Sequence, residues 1–122
     1  EGAIRFETGN PNFIGVFALD RAMDLLEKAT PQRIFTQVSY LGRRLIAELR
    51  RAGHRVVTPE SDEHRANIIV FEHADPDGLV QTLKEHQIVV SARRGRVRVS
   101  FHMMNNDADV DQLMRHVPSV GH

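Results

Sequence analysis

The chain has 122 residues, 41% of them hydrophobic and 26% charged, and its 16 basic side chains balance 16 acidic ones. This is ordinary globular composition, long enough for a single domain, residues 1–122, that buries roughly two-thirds of its unfolded surface. Neutrality gives no global pull towards nucleic acid or an anionic membrane. No apolar run approaches the roughly 18 residues of a membrane span, and the absence of Cys excludes disulfides, thiolate metal sites and a cysteine nucleophile within this chain.

The first helix is expected from Pro11 or Asn12 to about Ala29, with Pro in a first turn where its missing N–H costs nothing. Phe13, Ile14, Val16, Phe17, Leu19, Met23, Leu25 and Leu26 leave it little polar face. Such a helix is expected to be covered on several sides, by the rest of the domain and by protein outside this chain. Thr30-Pro31 restarts a helix, with Thr30 as N-cap. Ile34, Val38, Leu41, Leu45 and Leu49 form one apolar stripe at three- and four-residue spacing. Arg43, Arg44, Arg50 and Arg51 fall on or near its wet side, and Gly53 ends it.

A short strand is expected from His54 to Thr58, stopped by Pro59, and then a polar loop. Asn67 to His73 reads as a buried strand rich in β-branched residues. Asp75-Pro76-Asp77 opens a third helix that ends near His86. Ile88 to Ser91 reads as a strand, Ala92 to Gly95 as a turn, and Arg96 to His102 as the last strand. Asn105-Asn106-Asp107 caps a final helix bearing Val110, Leu113 and Met114. The order ααββαββα predicts an α+β fold, a small, mostly antiparallel sheet covered by helices.

Two constellations could carry chemistry. The turn Thr8-Gly9-Asn10-Pro11-Asn12 is a helix-capping sequence, and it also places amide and hydroxyl groups at a helix start, where unpaired N–H groups favour an anion. The second is Arg93 to His102. Alternation puts Val97, Val99 and Phe101 on one face and Arg96, Arg98, Ser100 and His102 on the other. A polar edge-strand face would read the same way, but the arginines concentrate charge in a neutral domain, and each guanidinium can grip a carboxylate with two hydrogen bonds. The only lysines, Lys28 and Lys84, sit late in amphipathic helices as solvated side chains. The seven histidines lack metal-ligand spacing and are assigned to the surface and to strand ends, with His102 notable for sharing the face of Arg98.

Residues Arg5-Phe6-Glu7-Thr8-Gly9-Asn10-Pro11-Asn12 resemble the Arg-Phe-Glu-x-Gly-Thr-Pro-Asn stretch that enters the C-terminal small domain of class V aminotransferases and cysteine-desulfurase-like enzymes. Arg98, Ser100 and Asn105 fall on that family's Arg-x-Ser-x-x-x-Tyr-Asn run, with Met104 in the aromatic position. The resemblance implies a fold type I enzyme dependent on pyridoxal 5'-phosphate (PLP) and acting on an amino acid as a homodimer. Arg98 would then bind the substrate carboxylate, Asn105 would open the last helix, and Gly9 and Asn10 would contact the cofactor phosphate of the neighbouring subunit. In the similar desulfurases the loop before the last strand carries a nucleophilic cysteine. Here Ser91-Ala92-Arg93-Arg94-Gly95 is short and has no thiol, which favours an aminotransferase, epimerase or lyase.

The family's PLP lysine lies upstream of such a segment. Together with the opening Glu1, this leads us to expect a piece of a larger cytoplasmic enzyme, without a catalytic residue, metal, nucleic-acid or membrane partner of its own. The alternative from pattern alone is a free-standing α+β module that binds a small anion or amino acid. Nucleic-acid binding by the arginines is opposed by neutrality, a single Tyr and no Trp.

Overall fold

A computed structural model describes residues 9–121. They fall into two compact units, one ending at Arg33 and one beginning at Ile34. The first unit holds α1 (Phe13–Ala29), capped by the Asn12 side chain, whose Oδ1 accepts the Gly15 N–H at 3.0 Å. No residue of α1 is buried, and its Phe13, Ile14, Val16 and Phe17 are all well exposed. Eight large apolar side chains spread around 17 residues leave no polar face to turn outward.

Helix α2 (Pro31–Arg51) crosses into the second unit, where its stripe is buried: Val38, Leu41, Leu45, Ile46 and Leu49 all enter the core. It ends in a Schellman motif: His54 N–H bonds Leu49 O at 2.9 Å and Gly53 N–H bonds Arg50 O at 3.0 Å, with Gly53 in the left-handed region. A single 3-10 turn (Asp62–His64) follows. Arg65, its side chain almost wholly buried, ties this loop to α2 through Asp62 and through Ser39 O at 3.1 Å. Next come β1 (Ile68–Glu72), α3 (Pro76–Glu85), β2 (Ser91–Arg93), β3 (Arg96–Ser100) and α4 (Asp107–His116).

The three strands form one antiparallel sheet in the order β1-β3-β2. Ile69, Phe71, Val97, Val99 and Phe101 join α2, Leu79 and Leu83 of α3, and Val110 and Leu113 of α4 in one apolar core. The α+β class and the antiparallel sheet are as the sequence indicates. Two expected strands are not. Residues 54–58 form only an isolated bridge, Val56 to Phe71. Thr58 Oγ1 accepts the Val70 N–H at 2.7 Å, so a hydroxyl takes the place of a ladder carbonyl.

Ile88 belongs to a helix cap instead of a strand. Its N–H bonds Leu83 O at 2.9 Å and Gln87 N–H bonds Lys84 O at 3.0 Å, a second Schellman motif with Gln87 at φ 63°. A backbone committed to capping α3 cannot pair with β3, so the strand starts at Ser91.

Helices α2 and α4 are joined by charge. Asp107 accepts from Tyr40 Oη at 3.0 Å and from Arg44 Nη1 at 2.7 Å, and Asp111 binds the other Arg44 nitrogen. The hydrogen bond to Asp107, reinforced by its charge, pushes the Tyr40 phenol above its ordinary pKa. Arg44 is also raised, through its hydrogen bonds to Asp107 and Asp111, against an opposing desolvation.

Candidate functional site

The strand alternation that buries Val97 and Val99 turns Arg96 and Arg98 to the opposite sheet face. Register completes that face. Val70, Arg98 and Ser91 lie side by side across the three strands, and Glu72, Arg96 and Arg93 form the next row. Arg94 and Gly95 make the two-residue turn between β2 and β3, both with positive φ (52° and 71°), as a type I′ hairpin needs. This tight turn brings Arg93 opposite Arg96.

Val70, Arg93, Arg94, Arg96 and Arg98 line a shallow cavity of about 240 Å³. Arg96 lies 3.5 Å from Glu72, which also accepts from Arg55 at 2.7 Å. Arg93 and Arg98 make no side-chain hydrogen bond or ion pair among the described residues. Arg98, half-buried on the central strand, is therefore held in place by its backbone while its donors stay unused. Arg93 belongs to the expected arginine cluster, but its place on this face was missed because the expected turn absorbed it. Its signal was the pair Arg94-Gly95, which fits a two-residue hairpin turn once Arg93 is placed in a strand.

Ser100, also expected on this face, is exposed opposite Ile68 and lines a different, smaller cavity of about 150 Å³ with Phe101, Asn105 and Asp109. His102 is exposed beyond the end of β3. Asn105 does not open the last helix; Asn106 does, in a capping box with Asp109. Asn105 instead knots the end of β3 to α4. Its Oδ1 accepts the His102 N–H at 2.7 Å, and its Nδ2 donates to Asp109 Oδ2 at 3.0 Å.

In the first unit, Gly9 has φ 99° and Asn10 is exposed, without a side-chain hydrogen bond among the described residues. Residues 5–8 of the same motif lie outside the described residues. The start of α1 has less donor capacity than the sequence implied. Phe13 N–H already bonds Pro11 O at 2.9 Å and Gly15 N–H is taken by the Asn12 cap.

Lys28 and Lys84 are both exposed helix residues. Among the described histidines, assigned from sequence to the surface and to strand ends, His54 is buried, with Nε2 2.9 Å from Pro118 O and its ring edge-on to Phe71. His86 and His116 stack with ring centres 3.8 Å apart. Among the described residues, no group of His, Asp and Glu could hold a metal ion, and no helix is long and apolar enough to cross a membrane.

The model of a family described as the kynureninase C-terminal domain matches residues 31–117. Among solved structures, the apo cysteine desulfurase of Thermococcus onnurineus NA1 superposes with a TM-score of 0.88 at 25% identity, over 94% of this chain and 32% of that one. C-DES, in a variant with glycine covalently linked to its PLP cofactor, gives 0.80 at 20% identity over 94% of this chain and 31% of that one. A NifS-like protein gives 0.78 at 21% identity over 88% and 33%. No curated protein matches the chain at a comparable level. The chain thus spans about a third of the length of the solved structures it resembles.

This fold is that of the C-terminal small domain of class V aminotransferase and cysteine-desulfurase-like PLP enzymes. Within that class, the chain belongs to the kynureninase C-terminal domain family, whose match takes in both the arginine-bearing strand and the helices behind it.

Proposed function

We propose that this chain is the substrate-orienting part of a PLP-dependent enzyme that acts on an amino acid by transamination, epimerisation or elimination. The observation that carries the reading is Arg98. It is a guanidinium on the central strand, facing a cavity and lacking any acidic partner among the described residues. A planar fork of donors fixed by a β-strand suits a carboxylate, which it can grip with two charge-assisted hydrogen bonds. Fixing the carboxylate sets which Cα bond faces the chemistry.

When bound, PLP would supply the electron sink. This chain offers it little: an exposed Asn10 amide beside the left-handed turn at Gly9, able to donate to the phosphate, and no lysine placed as an amine partner. We infer that the rest of the enzyme holds the cofactor and that Asn10 reaches the phosphate from a second subunit of a homodimer. A desulfurase mechanism is disfavoured because β2 and β3 are joined by Arg94-Gly95 alone, which leaves no loop to carry a thiol.

Arg98→Lys in the complete enzyme tests the assignment. Lysine keeps the charge but not the fork, so KM for the amino acid should rise about ten- to a hundredfold, with the cofactor absorbance unchanged. An unchanged KM would remove the carboxylate role.

A further inference from the structure

The arginine cavity holds more positive charge than one carboxylate can neutralise. Four guanidinium-bearing residues line it, and among the described residues Glu72 is the single acid paired with any of them, shared between Arg96 and Arg55. Arg93 and Arg98 remain without a partner among the described residues. Both lie on the same sheet face, in adjacent rows of adjacent strands, a diagonal relation with Cα atoms about 7 Å apart. Like charges carried by neighbouring side chains on one face raise the local potential, and an anion at each relieves it. The hairpin turn makes the pairing rigid, because Arg93 is locked opposite Arg96 by the register and cannot swing away with a loop.

We propose that this face recognises two anionic groups on one substrate, and so selects amino acids whose side chain carries a second acid. Arg98 takes the α-carboxylate and Arg93 takes the side-chain carboxylate. The diagonal spacing suits an acid one or two methylenes beyond Cα, since each guanidinium lies at the end of a long stem that can lean inward. This rests on the carboxylate role of Arg98 stated above and adds a substrate class to it. Val70, half-buried beneath the cavity, contributes an apolar floor that suits the connecting methylenes.

The test compares isosteric pairs on the complete holoenzyme by calorimetry: L-aspartate against L-asparagine, and L-glutamate against L-glutamine. The wild type should bind one of the acids at least about tenfold more tightly than its amide. Arg93→Gln should reduce that ratio to less than about threefold by weakening the acid more than the amide. Arg93 is exposed, so this variant keeps the fold, and an unchanged circular dichroism spectrum and cofactor absorbance serve as the control. If the wild type does not separate acid from amide while Arg98→Gln weakens both, the second-anion site is overturned and the α-carboxylate role survives. If the preference persists in Arg93→Gln, the assignment to Arg93 is overturned. If Arg98→Gln weakens neither ligand, both readings fail together.

Discussion

Asn105 offers the sharpest test of how the end of β3 is held in register with α4. Alanine at this position removes two side-chain hydrogen bonds. One is the acceptor for the His102 N–H at 2.7 Å, and the other is a half-buried donor to the Asp109 carboxylate at 3.0 Å. The first is worth about 1 kcal/mol net, and the second about 1.5 kcal/mol because its acceptor is ionised. Partial exposure brings the expected loss to about 2 kcal/mol, or a fall in Tm of about 10 °C for a unit of this size. The backbone oxygen of Asn105 keeps its bond from Gln37 Nε2, so the loop stays anchored to α2 and the loss reports the side chain.

Asn106→Ala is the comparison. It removes one exposed cap, the acceptor for Ala108 N–H at 2.8 Å, and should cost about 1 kcal/mol. Urea unfolding of the 122-residue chain, followed by far-ultraviolet dichroism, reads both. The reasoning fails if Asn105→Ala loses less than Asn106→Ala. Asn105→Asp adds a check: it keeps an acceptor for His102 but sets a second carboxylate against Asp109. Its deficit relative to wild type should be largest at neutral pH and shrink in acid.

Three further outcomes are expected. Tyr40 is the chain's single tyrosine, so an ultraviolet titration of tyrosinate reads it alone; Asp107→Asn should lower its pKa towards the ordinary value, and an unmoved titration would contradict the Tyr40–Asp107 contact. The sign for stability follows from the raised folded-state pKa: the contribution is full below the ordinary tyrosine range and is lost as pH rises through the folded value. Arg94→Asn should raise stability by about 0.5 kcal/mol, because Asn tolerates the left-handed conformation that Arg94 adopts in the hairpin turn; a drop in the urea midpoint would count against the turn. The 122-residue chain should self-associate through the exposed apolar surface of α1 and should be relieved by joint Phe13→Asp and Phe17→Asp substitution; sedimentation of the wild type as a strict monomer at all concentrations would refute this.

Much of the architecture was readable before any coordinates, because it depends on neighbours in sequence. The apolar stripe of α2, the Asp75-Pro76 start of α3 and the outward turn of Arg96 and Arg98 are all consequences of periodicity or of a side chain bonding a backbone group two or three residues away. Ile88 was misread because a β-branched residue after a helix has two uses, strand or cap. The choice depended on Leu83 O, already waiting for its N–H.

What the tertiary structure alone decided concerns pairing across distance. Nothing local says that Val70 flanks Arg98 or that His54 is enclosed by Pro118 and Phe71. Those placements are set by sheet register and by packing between segments tens of residues apart. The amino-acid order supplied the guanidiniums and their alternation. Antiparallel register gathered them around one cavity, because a one-residue slip of β3 would have turned Arg96 and Arg98 towards the core.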